Sequence, residues 1–114
     1  MTKVLIVDDD TTGVETLSNV LEIKGYRVDA AYGGMEALEK IGRTNFDFVL
    51  LDLKLPDING VETFRKIKKV KDGLKVVIMT AYSLPHLIQE ARKEGALAIL
   101  TKPLNIDKLL SLLK

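Results

Sequence analysis

Residues 3–10 read KVLIVDDD: four aliphatic residues in a row, Val4 to Val7, then three aspartates. An apolar run without alternation suits a strand covered on both faces, as in a parallel sheet sandwiched between helices. Like charges gathered at the tip of such a strand repel, and a fold keeps them only where an opposite charge meets them. One junction thus raises both the fold and the chemistry.

Working outward, the same kind of run recurs at Phe46 to Leu51, Lys75 to Met79 and Leu97 to Leu100, and a more alternating one at Tyr26 to Ala31. Helical periodicity fills the intervals. Val14, Leu17 and Leu21 share a face, as do Val61, Phe64 and Ile67, and Ile106, Leu109 and Leu113. Lys24-Gly25 and Glu94-Gly95 read as helix ends with glycine past the last turn. Asn59-Gly60 reads as a turn feeding a helix, and Ser83 with Pro85 as a helix start. Five strands alternating with five helices predict an α/β domain, a doubly wound parallel sheet covered on both sides.

The chain has 114 residues, enough for one compact domain spanning 1–114. Lys plus Arg number 17 and Asp plus Glu 16, so no charge excess argues for nucleic acid or an anionic membrane. The absence of cysteine excludes disulfides, thiolate catalysis and zinc–thiolate sites. The opening MTKVLIVDDD lacks the form of a signal peptide, and no apolar run reaches membrane-spanning length. A cytoplasmic location is expected, with neither nucleic acid nor membrane as a direct partner.

In open α/β sheets, ligands bind beyond the carboxyl ends of the strands. The first strand ends in Asp8, Asp9 and Asp10, the third in Asp52, the fourth in Thr80 and the fifth in Lys102. Each has a plain alternative: a helix cap, a solvated loop carboxylate, a strand-end hydroxyl, a surface lysine. For Asp10, followed by Thr11 and Thr12, the cap is the favoured reading. The others make sense together. Asp8, Asp9 and Asp52 against Lys102 leave two negative charges, which one divalent cation cancels. A hard, oxygen-rich site with few protein ligands suits Mg²⁺. Asp52 is then placed as a nucleophile forming an acyl phosphate, with Lys102 neutralising the transferring oxygens and Thr80 donating to one.

The set VDDD, LLDLKLPDING, MTAY and TKP, spread from Lys3 to the last helix, resembles the receiver domain of two-component response regulators. In its LPDING and IMTAY context it is similar to single-domain receivers of the sporulation phosphorelay. The resemblance implies a (βα)5 flavodoxin-like fold with strand order 2-1-3-4-5. It implies that Asp52 accepts a phosphoryl group from a phosphohistidine on a histidine kinase or histidine phosphotransfer protein. Asp8, Asp9, Asp52 and the backbone carbonyl of Lys54 would bind Mg²⁺. Thr80 and Lys102 would contact the phosphoryl group, and the Lys102-Pro103 bond would be cis. Such a domain is not an enzyme in the ordinary sense: it catalyses only its own phosphorylation and dephosphorylation. It would switch the face built by the fourth helix, fifth strand and fifth helix, for a downstream effector or an effector domain outside these residues. The chain departs from the commonest pattern at Ile99, where many receivers carry an aromatic or histidine switch residue. Lys54 and Tyr82 stand where the family tunes phosphoryl lifetime.

Rival readings are weaker. Asp8-Asp9-Asp10-Thr11 superficially fits a metal-dependent aspartate phosphatase of the haloacid-dehalogenase type, yet no paired acidic motif follows the fourth strand. An FMN carrier would need a Ser/Thr/Gly-rich phosphate loop after the first strand, and an inert pseudo-receiver would not keep the whole set. Leu87 and Ile88 read as core, and Leu84 as a partner surface. The run RKIKKVK from Arg65 reads as a helix end complementing its dipole. His86 is expected to be exposed and without a partner nearby in sequence, and the methionines and aromatics to be packing.

Overall fold

The structure is a computed structural model that describes residues 1–81 and 85–114. The element order is β1 (Lys3–Val7), α1 (Thr11–Ile23), β2 (Arg27–Ala31), α2 (Gly34–Arg43), β3 (Phe48–Asp52), α3 (Gly60–Val70), β4 (Lys75–Thr80), α4 (Pro85–Lys93), β5 (Ala98–Thr101) and α5 (Ile106–Leu112). The strands form one parallel sheet in the order β2-β1-β3-β4-β5. β3 is the middle strand, flanked by β1 and β4, and all five of its residues are buried.

Alternate residues of each strand feed opposite faces, the period-two rule of a pleated strand. Val4, Ile6, Leu50, Val77 and Met79 pack under α1 and α5, with Val14, Leu17, Leu21 and Leu109 above them. Leu5, Val7, Val49, Leu51 and Ile78 pack under α2, α3 and α4, with Ile41, Val61, Phe64, Ile67 and Ala91. The predicted helix faces therefore point inward as expected. Leu87 and Ile88 are half-buried against the second of these cores.

Helix ends follow local chemistry. Asp10 caps α1 by accepting the Gly13 N–H at 3.2 Å, as its sequence context implied. Asn59 caps α3 through the Glu62 N–H and Asn105 caps α5 through the Lys108 N–H. Gly25 (φ 97°) and Gly95 (φ 94°) take the left-handed conformation just past α1 and α4.

The third strand is FVLLD, Phe48–Asp52, ending at Asp52 as expected; Phe46 and Asp47 of the longer stretch precede it, with the Asp47 N–H on the Lys3 carbonyl. Two expectations need correction. His86 is exposed but not alone: its Nε2 lies 2.9 Å from Glu90, one helical turn on. Met79 is core, whereas Met1, Met35 and Tyr32 are exposed rather than packing. Ser83 and Leu84 lie outside the described residues.

Candidate phosphoryl-accepting site

The carboxyl ends of β1, β3, β4 and β5 place the predicted residues along one rim. Asp8 follows β1 directly, and its N–H still pairs with the Ala31 carbonyl of β2. Asp52 is the last residue of β3, opposite Met79 of β4. Thr80 ends β4, 1% exposed, opposite Thr101 of β5. Lys102 follows β5 and donates its backbone N–H to the Thr80 carbonyl at 2.8 Å, just before a cis Lys102-Pro103 bond.

From that position the Lys102 ammonium donates to Asp8 Oδ2 and to Asp52 Oδ2, the latter at 2.9 Å. Both carboxylates are nearly inaccessible, 4% and 6% exposed. Their other oxygens are held by the chain itself: Asp8 Oδ1 accepts the Asp10 N–H at 3.0 Å, and Asp52 Oδ1 the Lys54 N–H at 3.1 Å. Each oxygen thus has a defined direction and keeps accepting capacity.

Electrostatics sharpen the arrangement. Burial pushes the Asp52 carboxyl above its ordinary range; hydrogen bonds from Lys102 and the Lys54 N–H, with the Lys102 charge, oppose this, and the Asp8 charge adds to it. For Lys102 burial disfavours the charge, yet the bonds and charges of Asp8 and Asp52 together raise its pKa. Two buried carboxylates share one cation, so Asp52 is a carboxylate of raised basicity held in a polar crevice, the character a nucleophile needs.

The remaining predicted residues fall around this centre. Asp9 and Lys54 are exposed at the rim, and Ile99 is half-buried in β5. Tyr82 lies outside the described residues. Among the described residues no three acidic or histidine side chains are gathered as a metal cage; the two converging carboxylates are Asp8 and Asp52. Asp10 caps α1 and is not among the carboxylates that Lys102 bridges, whereas the phosphatase reading pairs it with Asp8.

A cleft of about 400 Å³, lined by Asp8, Val14, Leu17, Met79, Lys102 and Pro103, borders the site along α1. A larger cavity of about 610 Å³ opens elsewhere, around Phe46, Asp72 and Lys114 just before β3 and β4, and holds none of the converging groups.

Sequence reasoning missed how the β3–α3 loop is held. Asp57 accepts the N–H groups of Gly34 and Met35, both at 2.9 Å, at the start of α2. Gly60 packs against the backbone of Asp52 and Leu53. A glycine pair at 33–34 beside a polar loop was the available signal, but nothing local in the sequence says which loop it meets.

Comparison with known proteins identifies the family and the fold. Residues 4–114 match the family described as the response regulator receiver domain. Over 106 residues the chain is 44% identical to the transcriptional regulatory protein ZraR of Klebsiella oxytoca, covering 93% of this chain and 24% of that protein. It is 39% identical over 108 residues to sporulation initiation phosphotransferase F of Bacillus subtilis, covering 94% of this chain and 86% of that one. The response regulator TrrA of Thermotoga maritima, solved in complex with Mg(2+)-BeF, superposes with a TM-score of 0.88 at 35% identity, covering 97% of this chain and 95% of that one. The chain thus spans about a quarter of ZraR and most of the other two.

Proposed function

This chain belongs to the response regulator receiver domain family, and from that premise we propose that Asp52 is its phosphoacceptor. The observation that carries the reading is the bridging of Asp8 and Asp52 by Lys102, three residues from three strands meeting at one buried point. In the reaction, an Asp52 carboxylate oxygen attacks the phosphorus of a phosphohistidine. The P–N bond breaks, the imidazole nitrogen leaves and takes a proton, and an acyl phosphate forms. Lys102 neutralises charge on the phosphoryl oxygens, and the Thr80 hydroxyl donates to one of them. Water attacking the same phosphorus returns Asp52 and inorganic phosphate, so the cycle resets without another protein. The domain catalyses only these two steps on itself.

The donor set fits a hard divalent cation. Asp8 and Asp52 are oriented by backbone N–H groups and carry more negative charge than Lys102 supplies. Asp8, Asp9, Asp52 and the Lys54 carbonyl would hold Mg²⁺, which when bound supplies electrostatic stabilisation to the phosphoryl oxygens. The Thermotoga relative solved in complex with Mg(2+)-BeF supports Mg²⁺ as the choice of ion.

The donor is a histidine kinase or a histidine phosphotransfer protein, in line with the phosphotransferase among the relatives. Thr80 and Ile99 are the switch positions, and the output face is α4, β5 and α5. Among the described residues no helix is long and apolar enough to cross a membrane. Lys54 and Tyr82, two positions past Asp52 and Thr80, set the lifetime of the acyl phosphate by screening it from water. Lys54→Ala is expected to shorten that lifetime severalfold in a timed hydrolysis assay; an unchanged half-life removes Lys54 from this role.

The deciding experiment is intact-mass analysis after incubation with acetyl phosphate and Mg²⁺. Wild type should gain one phosphoryl group, and Asp52→Asn none. An unlabelled wild type, or a labelled Asp52→Asn, overturns the reading.

A further inference from the structure

The β3–α3 loop, residues 53–59, has one face in the site and another against α2. Within the site, the Lys54 N–H orients Asp52 Oδ1. At its far end, Asn59 caps α3 and the Gly60 N–H returns to the Leu53 carbonyl at 2.8 Å. Between them, Asp57 reaches across to another element, 23 positions away in sequence. The cap residue of α2 is Gly33, which has no side chain to offer the first N–H groups. Asp57 supplies the missing acceptor from outside the helix, one oxygen to Gly34 and the other to Met35.

The receiving surface is shaped for that contact. A methyl group at Gly33 would press on both Asp57 oxygens, at 3.1 and 3.2 Å. One at Gly34 would run into the Ile58 and Thr63 side chains. The glycine pair therefore lets the loop seat directly on the end of α2, with Asp57 and Ile58 gripping either side of Gly34. The paired N–H groups also hold the Asp57 carboxyl well below the usual carboxylate range, so the grip is ionic at all working pH values.

We propose that Asp57 is a positioning residue for phosphoryl acceptance: by latching the β3–α3 loop to α2 it fixes the Lys54 amide that aims Asp52. This rests on Asp52 being the acceptor, and it adds a second anchor that the converging Asp8, Asp52 and Lys102 do not provide. Loss of the latch leaves Asp52 in place on β3 but lets the amide beside it drift. A displacement on the ångström scale in a group that aligns a reacting atom slows a reaction roughly ten- to a hundredfold.

The test compares wild type, Asp57→Asn, Asp57→Ala and Ile41→Val, a core trimming on α2 that leaves the latch intact. Two quantities are read: the Lys54 amide resonance in metal-free protein, and the rate of labelling by acetyl phosphate with Mg²⁺. The Asp57 variants should move the Lys54 resonance and slow labelling by roughly tenfold, Asn less than Ala because it keeps one acceptor. Ile41→Val should do neither. Asp57→Ala with the wild-type Lys54 resonance and labelling rate overturns the proposal, as does an equal effect from Ile41→Val. Should wild type itself take no phosphoryl group, the assignment of Asp52 fails, while the Lys54 resonance still reports whether Asp57 positions the loop.

Discussion

Asp52 is backed so closely that a single methyl group tests its seat. A Cβ at Gly60 would overlap the Asp52 carbonyl oxygen and sit 2.5 Å from Leu53 Cα, and both are backbone, which has no rotamer to yield. Gly60→Ala is expected to cost about 2 kcal/mol in urea unfolding and to slow labelling of Asp52; wild-type behaviour in both would mean the loop gives way freely. The Asp57 carboxyl makes a second prediction at this scale, through pH. Bonds from the Met35 and Gly34 N–H groups lower it from an ordinary 3.8 to about 2. A carboxyl lowered by folding stabilises the native state above its unfolded value and loses that contribution as pH falls through the folded one. The Asp57 contribution should therefore be intact above about pH 4 and decline towards pH 2. Asp57→Asn should flatten the urea midpoint over that window relative to wild type, and parallel curves would mean the carboxylate is not held this way in solution. The converging residues of the candidate site were legible because each stands at or just past a strand end with a charge or hydroxyl, and strand ends can be counted along the chain. Asp57 and the glycines at 33 and 34 were not, since their meaning depends on two loops meeting in space.

The elements themselves were mostly readable from period and punctuation. Continuous apolar runs marked the strands, and the inward faces of α1 and α3 were the periodic residues Val14, Leu17 and Leu21, and Val61, Phe64 and Ile67. Strand starts were harder, because Phe46 is apolar yet lies outside the ladder, packed against the core from a loop. Contacts between helices escaped altogether. Arg65 of α3 lies 3.3 Å from Glu94 just past α4, 3.6 Å from Glu90 within it, and 3.2 Å from Glu62 on its own helix. Lys68 donates to the Glu94 carbonyl at 2.8 Å, closing the end of α4. The basic run starting at Arg65 is thus partly a clamp between neighbouring helices, not only a complement to its own dipole. These are surface charges, individually weak and screened by salt. Arg65→Ala should lower Tm by only ~2–3 °C at low salt while speeding amide exchange in α4, and both effects should fade near about 0.5 M salt. An effect that persists at high salt would mean Arg65 acts by packing its stem instead.

Across the whole molecule, stability is distributed unevenly about the sheet. β3, buried at every position, and α3, with five buried residues, form a stiff centre. The edge strands β2 and β5 each have one buried residue, Ala31 and Leu100, and among the described residues of α4 only Ala91 is buried. Sparse burial places α4 and β5 at the low end of local unfolding free energies, where motion is easiest. The same two elements are wired to the site: Thr80 ends β4 just ahead of α4, and its carbonyl holds the Lys102 N–H at the end of β5. An acyl phosphate on Asp52 would add negative charge and acceptor oxygens at the rim that Thr80 and Lys102 share. Those residues must readjust, and the least constrained elements attached to them absorb the change. Phosphorylation should therefore alter hydrogen exchange in β4, α4, β5 and α5 by about fivefold or more. β2 at the other edge of the sheet, and α2 beside it, should stay within error, and Asp52→Asn treated identically should show no change. Mass-spectrometric exchange with and without acetyl phosphate and Mg²⁺ measures this. A response confined to α2 and the β3–α3 loop would place the output face towards the β2 edge of the sheet, where the Asp57 latch rather than the Thr80–Lys102 link carries the signal.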